Sequence, residues 1–256
     1  MEGELLVVRC PSCSLVYLGN PPPEERLYDG YYSSSDPDPG LYRADSSDPH
    51  LRELYAINSQ RLARLGRIMP AGRLLDIGCG RGQFLKSARE QGYETRGIDV
   101  SERAVAYARE HFGLRCDVRP LEEVAASDER FDLVTLWHVL EHFVNPVEAL
   151  GQIRRMLRPG GLCVVEVPNL RSLKFMLSGS RWEGGNHPLY HRTFFTSPGL
   201  RQMLVRCGYA RVSRMRWSYA VPGRSGAYEL VKRALDVAAM DAFLDFIAWN
   251  GPARKG

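Results

Sequence analysis

The stretch LLDIGCGRGQFL, residues 74–85, decides the fold. Leu74, Leu75 and Ile77 surround Asp76 and lead into Gly78, Gly80 and Gly82, after which Phe84 and Leu85 return at helical spacing. That order reads as strand, tight turn, helix. Glycines at such a turn permit positive φ and let a ligand approach the backbone, while the first free N–H groups of the helix point at whatever is bound. The ligand class this implies is nucleotide-like.

Outward from this stretch the same syntax repeats. Before it, Leu51, Leu54, Tyr55, Ile57, Leu62, Leu65 and Ile68 recur at threes and fours until Pro70, a helix with a stop. After it come strand TRGIDV, helix SERAVAYAREHFG, strands LRCDV and FDLVTLW, helix VEALGQIRRMLRPGG and strand LCVVEVP. The alternation predicts a Rossmann-like α/β fold, a doubly wound and mostly parallel sheet covered on both faces. An insert over residues 169–196 precedes helix SPGLRQMLVRCG, strand ARVSRMRW and a helix around residues 228–239. The apolar run AFLDFIAW reads as a closing antiparallel strand or as a helix end. Residues 1–48 differ in texture, with two short strands around a Cys-Pro-x-Cys knuckle, Cys10 to Cys13, followed by a turn-rich linker. The expected division is a knuckle and linker over 1–48 and one large domain over 49–256.

Length and composition agree with an ordinary enzyme. The chain has 256 residues, 44% of them hydrophobic, enough to bury a sizeable core. A net charge of +4 is too small to argue for nucleic acid. From residue 151 to 217, however, arginines abound and Glu166 and Glu183 are the only acids, which predicts a basic face. Cys79, Cys116, Cys163 and Cys207 are scattered singly, so no disulfide framework is expected and a reducing cytoplasm suits the chain. The start MEGELLVV lacks a cationic leader, and no run approaches the ~18 apolar residues of a membrane span.

The glycine spacing departs from a dinucleotide fingerprint, because position 83 is Gln83 and the third glycine is Gly82. Asp76 points the same way. A carboxylate at the strand end repels a pyrophosphate and favours a ligand bearing an ammonium and a sulfonium, such as S-adenosylmethionine. Asp99, about twenty residues on in GIDVS, is spaced to accept from ribose hydroxyls. Asp76 and the glycine spacing disfavour a nicotinamide-dependent oxidoreductase.

Taken together, LLDIGCGRGQFL, GIDVS, FDLVTLWHVLEHF and MLRPGGLCVVEVPN resemble class I S-adenosylmethionine-dependent methyltransferases over about residues 51–220. The branch is the one with a "vLEH" sequence after strand four, which includes ubiquinone-type and natural-product O-methyltransferases. The resemblance implies that Asp76, Ile77, Gly78, Cys79, Gly80 and Gly82 line the methionine and ribose region of the cofactor. It also implies that Asp99 holds the ribose, that Val100 and Leu121 flank the adenine, and that Trp137 and His138 lie near the end of strand four. Arg119-Pro120 stands where many relatives carry an acidic or amide residue. The expected acceptor is a small molecule methylated on oxygen. RNA or protein methylation, motivated by the arginines, and a non-catalytic binding module are the rival readings. No RNA-binding motif supports the first.

HVLEH, residues 138–142, also matches H-x-x-E-H, a zinc motif when it lies on a long helix. Here Asn145-Pro146 ends any helix within a turn, so no metal is expected. His142 instead sits at the mouth of the sheet as a candidate base for the acceptor's proton. His187 and His191, within an insert made aromatic by Trp182, Tyr190, Phe194 and Phe195, are the other candidates. Cys10 and Cys13 are half of a four-ligand zinc ribbon, and Tyr31-Tyr32 resembles the segment that follows such ribbons in relatives. Zinc on these two thiols alone is not expected.

Overall fold

A computed structural model of the chain describes residues 6–11, 15–21, 49–178, 191–215, 230–231, 234–235, 238, 240 and 242–251. At the N-terminus β1 (Val7–Arg9) and β2 (Val16–Leu18) form an antiparallel hairpin. Cys10 lies at its turn, while Cys13 and Tyr31-Tyr32 fall outside the described residues. Helix α1 (Pro49–Gly66) then buries Leu51, Leu62 and Leu65 along one face.

The alternating part follows the periodicity closely. Strand β3 (Arg73–Ile77) leads to α2 (Gln83–Glu90), β4 (Glu94–Asp99) to α3 (Glu102–Phe112), and β5 (Cys116–Val118) to α4 (Leu121–Ala125). Strand β6 (Phe131–Trp137) runs through a 3₁₀ turn, Leu140–His142, into α5 (Pro146–Met156). Local chemistry sets the helix starts. Ser101 accepts from the Ala104 N–H at α3, and Asn145 accepts from the Glu148 N–H at α5 with Pro146 in the first turn.

Two boundaries differ from the sequence reading. α4 was not expected, and the helix expected through Gly161 stops at Met156 because Leu157–Pro168 is one long strand, β7. Pairing decides this. Leu157 is opposite Phe131, a register irregularity follows on β6, and Leu162 is opposite Leu133. The remaining elements are α6 (Leu173–Ser178), β8 (Thr193–Phe194), α7 (Ser197–Arg206), β9 (Arg211–Met215) and β10 (Phe243–Trp249). The ambiguous apolar run is therefore a strand.

The main sheet has seven strands in the order β5-β4-β3-β6-β7-β10-β9. β5, β4, β3, β6 and β7 pair in parallel, and β10 is inserted antiparallel to both neighbours. Each face carries its own core. Leu62, Leu65, Leu74 and Leu85 pack under α1 and α2, and Leu150, Ile153, Leu200 and Leu204 pack under α5 and α7. Burying both faces explains why β6 and β7 are nearly continuous apolar runs. A second sheet of three strands, β1-β2-β8, joins the N-terminal hairpin to the end of the insert.

Candidate active site

The chain order reverses between β3 and β6, so the carboxyl ends of β3, β4 and β6 open on the crevice where doubly wound folds take ligands. The glycine loop lies there. Gly78 has φ 67° and Gly82 φ 77°, and a Cβ on either would come within 2.4 Å of a neighbour, Val139 Cγ2 and Leu114 Cδ1 respectively. Only glycine fits both conformation and space. The N–H groups ahead of the helix are engaged within the fold. Those of Gly78 and Cys79 donate to the Ile98 carbonyl at 2.8 and 3.0 Å, and that of Gly80 donates to Asp99 Oδ2 at 2.7 Å. β4 therefore braces the loop.

Two buried carboxyls stand beside it. Asp76 is 2% exposed and accepts from the Thr135 hydroxyl at 2.6 Å. Burial pushes it up to about 7, against the lowering effects of the Thr135 bond and the Arg61 charge. Asp99 is also raised by burial, although N–H groups of Ser101, Gly80 and Val100 favour its ionised form. Val100 is exposed next to it, whereas Ile77 and Leu121 are core residues. Cys79 is buried against Gly97 and Cys116.

Past β6 the chain makes a strained bend. His138 has φ 57°, the one non-glycine residue with positive φ among the described residues. Its N–H donates to the Glu166 carbonyl at 2.9 Å, its Nε2 lies 2.9 Å from Glu166 Oε1, and its Nδ1 lies 3.7 Å from Glu141 Oε1. Burial alone would lower its pKa, but the carboxylates of Glu141, close by, and Glu166, within hydrogen-bond distance, raise it to about 9. Glu166 also pairs with Arg61, whose guanidinium stacks 4.0 Å over Trp137, itself packed on Phe84 at 5.0 Å. Burial would raise Glu166. The Arg61 charge and hydrogen bonds from Asp245 and His138 instead drive it well below the ordinary carboxylate value.

Glu141 is 1% exposed, and neither carboxylate oxygen has a hydrogen-bond partner among the described residues. His142 and His191 meet edge to face with ring centres 4.9 Å apart. One ligand atom from each of Glu141, His142 and His191 lies within 4.8 Å of the other two, a spacing that suits an ion between them. His138 and His142 do not share a helix face, since the helical turn holds three residues and His138 lies outside it. His187 lies outside the described residues. Most arginines expected to form a basic face are exposed, though Arg192 is buried.

Comparison with known proteins decides the family. A family model described as a methyltransferase domain matches residues 50–214. The chain is a class I S-adenosylmethionine-dependent methyltransferase. This methyltransferase is 32% identical over 171 residues to the ubiquinone biosynthesis O-methyltransferase of Cereibacter sphaeroides, covering 59% of this chain and 68% of the relative. With its Roseobacter denitrificans counterpart the identity is 33% over the same shares. Among solved structures, the plantazolicin methyltransferase BpumL in complex with a monoazolic desmethylPZN analog and S-adenosylhomocysteine superposes with a TM-score of 0.61 at 17% identity, covering 90% of this chain and 96% of that one. A methyltransferase from Archaeoglobus fulgidus gives 0.58 at 21%, covering 78% and 96%. At these identities the two structures speak to the fold.

Arg61, Thr135, Glu141, Glu166 and Asp245 are site residues the motif reading did not select. Glu166 and Asp245 leave a signal in the text. Each is the lone acid of its strand, and they are directly opposite one another in the β10–β7 register.

Proposed function

We propose that this methyltransferase moves a methyl group from S-adenosylmethionine to an oxygen of a small organic acceptor, with His142 or His191 receiving the acceptor's proton. One juxtaposition carries the reading. Val139 packs against Gly78, so the turn bearing His142 begins on the glycine loop, and His191 meets His142 from the end of the insert. Cofactor loop and imidazoles thus share one mouth. The curated relatives, named as O-methyltransferases, support oxygen as the acceptor atom.

In this reading Asp76 faces the ammonium of the cofactor, Asp99 the ribose, and Gly78, Cys79, Gly80 and Gly82 let it approach the backbone. Ile77 backs the loop, Val100 and Leu121 belong to the adenine end, and Trp137 and His138 form the wall at the end of β6. The fit is chemical: a buried carboxyl pushed up to about 7 gains from an approaching cation, and the buried Trp137 Nε1 has no hydrogen-bond partner among the described residues. Bound there, S-adenosylmethionine supplies a sulfonium methyl open to in-line displacement. The acceptor hydroxyl must lose its proton as its oxygen takes the methyl carbon, and an imidazole is the side chain suited to receive that proton near neutral pH, contributing about 10²–10⁴-fold. The described ends of the insert, 169–178 and 191–196, are assigned to the acceptor side of the site.

The test begins with a screen of pooled metabolites for an acceptor, using labelled S-adenosylmethionine. On that acceptor His142→Ala is expected to lower the rate about 10²-fold or more while S-adenosylhomocysteine affinity stays within a few-fold. A larger loss in His191→Ala assigns the base to the insert. Full rate and an unchanged pH profile in both variants would sink the proposal.

A further inference from the structure

We infer that Thr135 is a positioning residue for the cofactor's ammonium: its hydroxyl holds Asp76 Oδ1 and so fixes the carboxyl with Oδ2 left for the ligand. The inference rests on the reading of Asp76 as the group that meets that ammonium. Register supplies the pair. Asp76 of β3 and Thr135 of β6 are direct partners in the parallel ladder, at the point where the chain order reverses, and partners at one level of a sheet share a face.

The bond between them is short and buried. Thr135 Oγ1 donates to Asp76 Oδ1 at 2.6 Å, within the range of hydroxyl bonds to ionised carboxylates. Thr135 is fully buried and Asp76 nearly so, and breaking the bond would strand two polar groups away from water. Thr135 is also the one hydroxyl-bearing residue of β6, set between the core residues Val134 and Leu136. Its β-branched side chain is stiff at χ1, so it holds the carboxyl more rigidly than a serine would.

A second acceptor gives the hydroxyl somewhere to turn. The Leu75 carbonyl lies 3.5 Å from Thr135 Oγ1, at the long limit for such a bond. While Asp76 is ionised, the hydroxyl proton points at the carboxylate. Once Asp76 takes up a proton it donates to Oγ1 instead, and the hydroxyl turns to Leu75. The closer acceptor makes the ionised state the favoured one. Other elements contribute charge around the pair. Burial is the largest effect on Asp76 and opposes its ionisation, as does Asp99 of β4, while Arg61 of α1 favours it from a position held by Glu166 of β7. The Cys79 thiol of the loop, raised by its contact with Cys116 and by burial, is neutral. Thr135 is the neighbour that acts on Asp76 by direct contact.

Thr135→Val keeps the shape and removes the hydroxyl, whereas Thr135→Ser keeps the hydroxyl. In protein labelled with ¹³C at aspartate carboxyl carbons, the Asp76 resonance, assigned with Asp76→Asn, is expected to titrate about one pH unit higher in Thr135→Val and close to its ordinary place in Thr135→Ser. Affinity for S-adenosylhomocysteine at about pH 7 should fall about 5- to 20-fold in Thr135→Val, and the pH at which it levels off should move up with the resonance. On the acceptor found by screening, KM for S-adenosylmethionine should rise by a similar factor with kcat within a few-fold. An Asp76 titration unchanged by Thr135→Val would overturn the inference. Affinity kept in Thr135→Val but weakened in Asp76→Ala rejects Thr135 alone, whereas affinity kept in both rejects the ammonium reading beneath it. If Thr135→Val fails to fold, the unaltered protein still answers. Its Thr135 Cβ resonance should follow the Asp76 carboxyl carbon through the titration, and an inert Thr135 carbon overturns the role.

Discussion

Where Asp76 faces the cofactor's ammonium, as proposed, it couples ligand charge to a proton. With its carboxyl pushed up to about 7 by burial, a sizeable fraction carries a proton near neutral pH, and a cation beside it favours the ionised form. Affinity for S-adenosylhomocysteine, whose amino acid end keeps its ammonium, is therefore expected to rise as pH rises towards about 7 and to level off above. Calorimetry in buffers of different ionisation heat at about pH 6.5 should register proton release that Asp76→Asn abolishes. Removing either carboxylate, in Asp76→Ala or Asp99→Ala, should weaken binding by about 1.5–3 kcal/mol, the range for hydrogen bonds to charged groups. Unchanged affinity in both would separate the two acids from the cofactor.

At the scale of elements, the strand–loop–helix unit depends on two glycines that no other residue replaces. Gly82→Ala forces a side chain into φ 77° and to within 2.4 Å of Leu114 Cδ1, so a loss of about 1–3 kcal/mol is expected from the urea midpoint. This unit was legible because its signals are local: apolar alternation, glycines and a resumed helical period. The same holds for β3 to β6. α4 was not legible, having five residues and two adjacent acids in place of an amphipathic period. The start of β7 was hidden for another reason. Arg158-Pro-Gly-Gly161 reads as a helix stop, and only pairing with β6 makes Leu157 part of a strand. Site residues divide in the same way. Asp76 and Asp99 sit in contiguous motifs, whereas His142 meets His191 and Glu166 faces Asp245 through contacts between distant segments.

Over the whole molecule, His138 ties the sheet to the site with a charge that pH can remove. Folded, it is raised to about 9 by Glu141 and Glu166 against the effect of burial. In the unfolded chain it returns to about 6.5. Its stabilisation is complete below about pH 6.5 and is lost as pH rises through about 9. Asp76, raised to about 7, has largely ionised by about pH 8, but the buried thiols of Cys79, Cys163 and Cys207, raised in the folded protein, also cost stability as they ionise in the unfolded chain, so His138 is read from the difference: the urea midpoint should fall more steeply between about pH 7 and 9.5 in the unaltered protein than in His138→Gln. An equal fall in the two proteins would show that the imidazolium contributes nothing to the fold. The hairpin pairing of β2 with β8 bears on a different property, the order of assembly. Val16 lies opposite Phe194, roughly 180 residues away in sequence, and closing so long a loop for a short ladder is entropically late work. The Rossmann-like sheet, built largely from neighbouring strands, can form before that clasp shuts. A chain emerging from the ribosome would then acquire its cofactor crevice first, and the wall that seats His191 only once β8 has emerged and the amino-terminal strands have docked on it.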